Sequence, residues 1–156
     1  MKVKRKSGGI LLYRYHQKQL DFFLVHPGGP FWVNKDAGVW SIPKGEFDND
    51  EDALTAAQRE FEEETGSKLS GDFIALTPVV QKAGKQVYAW AVEGNIDPLT
   101  IQSNTFQIEW PPKSKQLKQF PEIDKGEWFS EKNAFEKIIP AQAAFIEEIL
   151  KRVSLT

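Results

Sequence analysis

Residues Gly45–Ser67 read GEFDNDEDALTAAQREFEEETGS, and the placement of that acidic stretch decides how the chain folds and what it can do. Residues 52–65 carry a helical pattern: at about 100° per residue Ala53, Leu54, Ala57 and Phe61 fall on one side, the natural core face. Any of Asp48, Asn49 and Asp50 can cap the start, and Gly66 stands just past the end. Glu60 and Glu64 land beside Ala53 and Ala57, and Glu63 lies roughly 60° beyond Glu60. Like charges at this spacing cost an isolated helix about 0.2–0.5 kcal/mol, and turning carboxylates toward a core costs several times more unless something offsets them. Arg59 sets one positive charge against three anions, which is too little. A divalent cation would be enough, and an oxygen-only donor set on a partly open site suits magnesium or manganese. A solvated acidic face explains most charge runs and is the alternative here, although acids placed among alanines weigh against it.

Outward from this helix, residues 7–15 and 19–26 are runs rich in β-branched, leucine and aromatic residues, split by His16-Gln17-Lys18, which predicts a hairpin. Pro27-Gly28-Gly29-Pro30 ends it, residues 31–40 are irregular, and residues 39–42 lead into an extended piece that turns at Gly45. Residues 73–82 and 86–93 predict a second hairpin, residues 105–110 a further strand, and residues 111–121 a loop carrying Lys113, Lys115 and Lys118. Residues 127–129 suggest a last short strand before helices at about 131–138 and 141–153. Strands and helices mix without a repeated βαβ unit, which predicts an α/β sandwich built on a mixed sheet.

At 156 residues one domain spanning residues 1–156 is expected. A net charge of −2 offers no field for duplex nucleic acid, so phosphate recognition must be local. The absence of cysteine removes disulfides, thiolate nucleophiles and cysteine-ligated metals, leaving carboxylates as the main ligands. The basic start, residues 1–6, is followed by an apolar run too short for a signal peptide, and no segment approaches a membrane span. A cytoplasmic monomer or homodimer is the expectation.

The fixed residues Gly45, Glu51, Arg59, Glu60, Glu63, Glu64 and Gly66 match the Nudix box, G-x5-E-x7-R-E-U-x-E-E-x-G-U, where U is a bulky apolar residue. With residue frequencies of about 5–7%, chance agreement at one starting point is on the order of 10⁻⁸ or less. Phe61 is an aromatic variant at one U position and Ser67 departs from the other; both are packing sites. The likeness extends through residues 40–46, and residues 121–129 are similar to the acidic segment of dinucleoside polyphosphate hydrolases. The resemblance implies a Nudix-type α/β/α sandwich that uses Mg²⁺ or Mn²⁺ to cleave a phosphoanhydride in a small nucleotide, diadenosine tetraphosphate being the first candidate. An NTP or RNA 5′-end pyrophosphohydrolase is the alternative, and a nucleotide-binding module without catalysis is the reading from another class. By resemblance, Gly45, Glu60, Glu63 and Glu64 hold the metal, Arg59 orients a carboxylate, and Glu122 or Glu63 is the general base. Lys44 is placed to grip phosphate, and Trp40, Tyr88 and Phe120, with His26 behind them, are candidates for stacking on a base. Glu51 reads as a first-turn acid complementing the helix dipole.

Overall fold

Ser7 to Tyr13 are buried without a break, so the first strand is covered on both faces. The structure is a computed structural model that describes residues 5–153; residues 1–4, most of the basic start, and residues 154–156 lie outside the described residues. The strand β1 (Lys6–His16) pairs antiparallel with β2 (Gln19–Pro27) through a turn in which Gln17 and Lys18 both take positive φ, the tight hairpin expected there. A short β3 (Lys44–Glu46) continues along the same edge of β1, and β6 (Gln86–Glu93) runs parallel to β1 on its other edge. Beyond β2 lies β9 (Ile123–Ser130), giving the order β4-β6-β1-β2-β9 with β4 (Ile74–Ala75) at one edge. The sheet is mixed, as expected.

Side chains alternate across it. Ile10, Leu12, Phe23, Val25 and Val92 point to one face, where they meet Ala57 and Phe61 of α1 (Ala53–Thr65). Leu11, Tyr13, Phe22 and Leu24 point to the other and pack on Phe145, Ile146 and Ile149 of α3 (Ala143–Val153), with Ala134 of α2 (Glu131–Lys137). Helices on both faces make an α/β/α sandwich. No described helix is long and apolar enough to cross a membrane.

Several expectations need correction. The cap of α1 is Asp52, whose carboxylate accepts from the Thr55 N–H at 3.1 Å; Asp48, Asn49 and Asp50 lie in the loop before it. Gly45 sits inside β3 opposite Gly8, so the chain turns after it. The strand expected over residues 73–82 is broken into β4 and β5 (Val79–Val80), because Pro78 has no N–H to give the ladder. Residues 117–121, expected in a loop, form β8 (Leu117–Pro121), which pairs with β7 (Thr105–Glu109) as a separate two-stranded sheet. The last strand reaches back to Ile123.

Candidate active site

The helix α1 lies unusually close to β1 because Gly8 has no side chain: a Cβ there would stand 2.9 Å from the Ala53 carbonyl and 3.2 Å from the Ala57 nitrogen. That seat brings the acids at the helix's C-terminal half down onto β3. Glu60 lies so tightly against Gly45 that a Cβ on the glycine would overlap its carboxylate. Glu64 is 6% exposed, and its carboxylate accepts from the Lys44 backbone N–H at 3.1 Å. A carboxylate has about four lone-pair positions, so one neutral donor leaves the anion poorly satisfied. Burial accordingly pushes Glu64 up to about 8, and raises Glu60 as well, with Glu63 adding to the effect.

Arg59 serves several acids at once. Its Nε and Nη2 donate to the two oxygens of Glu51 at 2.9 Å each, while Nη1 donates to Glu60 at 2.9 Å and to Glu63 at 3.2 Å. The fork to Glu51 holds that carboxyl below its ordinary range and the guanidinium above its own. Glu51 is therefore not a first-turn acid. It stands outside the helix and fixes the plane of Arg59, a contact between residues eight apart that helix periodicity does not reveal.

Glu64, Lys44 and Glu122 line one cleft of about 340 Å³ whose remaining walls include Trp32, Val39, Ile42, Ile123 and Ile139. Glu122 is exposed, and it stands near enough to raise both Glu60 and Glu64 electrostatically. Its backbone is fixed from both sides: its N–H donates to the Asn104 carbonyl at 2.8 Å and its carbonyl accepts from the Gly28 N–H at 2.8 Å. Asn104 in turn donates to the Glu63 carbonyl at 3.1 Å, which ties Glu122 to α1. Burial depresses Lys44, with the nearby Lys85 a second cause, so an anionic oxygen in the cleft would favour its charged form.

The aromatic expectations fare differently. Trp40 is 1% exposed, packed between His26 and Phe129 with its indole N–H on Asp36 at 2.8 Å, and it has no free face for a base. Tyr88 packs on Phe47, and Phe120 packs on Phe106 in the β7–β8 hairpin; neither lines the cleft. His26 is buried between Asp124 and the Lys35 carbonyl, away from any ligand role. Trp32 does line the cleft but carries no sequence signal: it lies in an irregular stretch, and nothing local in the sequence separates it from Phe31 or Trp40. Lys113, Lys115 and Lys118 are exposed and do not line the cleft.

Among the described residues no three acids converge on one point in ligand geometry, since Arg59 draws in Glu60 and Glu63 while Glu64 turns to the Lys44 amide. The chemistry of the set still fits a hard divalent ion. It is all oxygen and partly buried, and the single guanidinium near it is shared with Glu51.

A profile of the NUDIX domain matches residues 4–150. An 8-oxo-(d)GTP phosphatase of Mycolicibacterium smegmatis is 30% identical over a stretch covering 52% of this chain and 30% of that protein, so the chain spans under a third of its length. Among solved structures, a C. elegans Ap4A hydrolase in a binary complex aligns with a TM-score of 0.62 at 22% identity, covering 96% of this chain and 95% of the other. The NUDIX domain of Shewanella oneidensis NrtR, complexed with ADP ribose, aligns with a TM-score of 0.64 at 17% identity, covering 100% of this chain and 91% of that one. With the profile spanning nearly all of its length and the same sandwich beneath it, this chain belongs to the NUDIX domain family.

Proposed function

We propose that the chain is a Nudix pyrophosphohydrolase acting on nucleotide phosphoanhydrides, and that dinucleoside polyphosphates such as diadenosine tetraphosphate are its substrates. The observation that carries this reading is the meeting of Glu64, Lys44 and Glu122 in one cleft, with Glu60 immediately behind and Arg59 bracing it. Glu60, Glu63 and Glu64, with the Gly45 carbonyl, would hold Mg²⁺ or Mn²⁺. The ion, when bound, supplies positive charge to phosphate oxygens and eases loss of a proton from water. Lys44 grips a phosphate from the floor of the cleft, where exclusion of water strengthens the contact. Glu122 takes the proton of the attacking water. It is exposed and not among the proposed ligands, and a carboxylate that ligates metal, as Glu63 would, is a weaker base.

Two things support the finer substrate class: the segment 121–129 that resembles dinucleoside polyphosphate hydrolases delivers Glu122 to the cleft, and a hydrolase of that kind shares the fold over nearly its whole length. The M. smegmatis relative favours a second reading, an oxidised purine nucleoside triphosphate. Incubation with magnesium and a panel of diadenosine tetraphosphate, 8-oxo-dGTP, ordinary triphosphates and ADP-ribose separates them. Diadenosine tetraphosphate is expected to give the highest kcat/KM; a clear preference for 8-oxo-dGTP would replace the first reading with the second. Binding without turnover of any of them would point to a regulatory module, which the intact set Arg59, Glu60, Glu63 and Glu64 argues against.

Arg59→Lys keeps the charge and loses the planar fork that holds Glu51, Glu60 and Glu63 together. Turnover is expected to fall about tenfold to a hundredfold with unchanged circular dichroism. Turnover equal to the parent would remove Arg59 from its bracing role.

A further inference from the structure

His26 is 2% exposed, and both of its ring nitrogens face oxygens: Nδ1 is 2.9 Å from Asp124 Oδ1 and Nε2 is 2.7 Å from the Lys35 carbonyl. A carbonyl can only accept, and so can an ionised carboxylate. A neutral imidazole owns one N–H and would set a lone pair against whichever oxygen it did not serve. Only the imidazolium donates to both. The ring thus joins β9, which carries Asp124, to the loop of residues 28–39, which carries Lys35.

The middle of that loop, residues 31–37, has few other contacts. Its own bonds are turn contacts, Trp32 N–H to the Gly29 carbonyl at 3.3 Å and Lys35 N–H to the Trp32 carbonyl at 2.9 Å, and residues 31–37 are exposed. The loop's ends are tied to the body by the Gly28 N–H on the Glu122 carbonyl at 2.8 Å and the Gly38 N–H on the Glu136 carbonyl at 3.2 Å; between them the outside contacts come from Asp36, to Lys137 and to the Trp40 indole, and from Phe31, stacked edgewise on Trp110. Trp32 lines the cleft, and the Lys35 ammonium lies 5.0 Å over its ring. Where the Lys35 backbone is held, Trp32 is held. The charged groups around His26 are Asp124, Lys125 and Glu127 on β9, Lys35 and Asp36 in the loop, and Lys137 on α2.

We propose that His26 is a positioning residue: its imidazolium latches the 28–39 loop to β9 and keeps Trp32 against the cleft, so deprotonation of the ring loosens nucleotide binding. The effect on substrate rests on the nucleotide-hydrolase reading; the latch itself does not.

Long-range proton–nitrogen NMR of the His26 ring in the full chain, followed across pH beside amide exchange at Trp32 and Lys35, tests the latch. Two protonated nitrogens are expected at low pH, with both amides exchanging faster once the ring loses a proton. In parallel, KM for diadenosine tetraphosphate with magnesium should rise about tenfold across that titration, the worth of one hydrogen bond to a charged group, with kcat nearly constant. Asp124→Asn is the decisive variant. Its amide can donate to Nδ1 of a neutral ring that still donates to Lys35, so the loop should stay latched and the KM step should vanish. His26→Phe should give the high KM at every pH. A bare ring nitrogen at low pH with Trp32 and Lys35 still protected, or an Asp124→Asn profile identical to the parent, would overturn the proposal. Absence of turnover together with the expected NMR and exchange results would count against the hydrolase reading and leave the latch standing.

Discussion

Glu64→Gln is expected to lower nucleotide turnover by about two to three orders of magnitude and yet leave the fold intact. The amide oxygen can still accept from the Lys44 N–H that now bonds the carboxylate at 3.1 Å, and the side-chain volume hardly changes. What disappears is the negative charge on which its proposed role in holding a metal rests. The same variant carries a stability prediction with a definite sign. In the folded chain Glu64 titrates at about 8, against an ordinary 4.5, so between those values the native state binds more protons than the unfolded one. Stability in chelator-treated buffer should therefore fall as pH rises from about 4.5 to about 8, by on the order of a few kcal/mol in total. Glu64→Gln should lose most of that slope and be the more stable protein at the alkaline end, and added magnesium should stabilise the parent far more than the variant. Urea unfolding across pH, with and without metal, measures all three. Parallel curves for the two proteins, or near-parental turnover, would remove Glu64 from the centre of the site.

Gly8→Val should be the most damaging single change to the fold among those considered. The backbone of Gly8 is extended and any residue can adopt it; the difficulty is space, since the new Cβ would press on the Ala53 carbonyl and the Ala57 nitrogen, which are backbone atoms and cannot swing aside. The helix must lift off β1, opening the contact in which Ala57 and Phe61 are 0% and 1% exposed. A loss of about 2–4 kcal/mol is expected, read as a lowered urea midpoint. Turnover should fall further than the folded fraction alone requires, because Glu60 and Glu64 ride on the helix that moves. Gly8→Ala should show the same pattern more mildly. Parental stability in Gly8→Val would mean that the close helix seat does not govern the site.

Much of this arrangement was legible in the linear chain, for physical reasons that can be named. The acids of α1 were placed by a period of 3.6 residues acting on alanines and Phe61, and the first hairpin by two apolar runs around a polar turn. Glu122 reached the cleft through a motif rather than a pattern. The failures share a cause as well. Residues 117–119, all exposed, show no apolar alternation, so β8 left no signal, although its backbone pairs with β7 in full register. Trp40 and Trp32 are both tryptophans near the box, and only the tertiary fold decides that one fills the core while the other lines the cleft. Glu51 and His26 find their partners eight and 98 positions away, distances over which periodicity carries no information.

Among the described residues β7 and β8 pair only with each other. Every ladder of the main sheet is complete without this limb, which joins the body beside Glu63 and Glu122 and reaches Phe31 through Trp110. Its length and composition can change at small cost to the core, so the groups presented beside the cleft can vary while the acids of α1 keep their seat on β3.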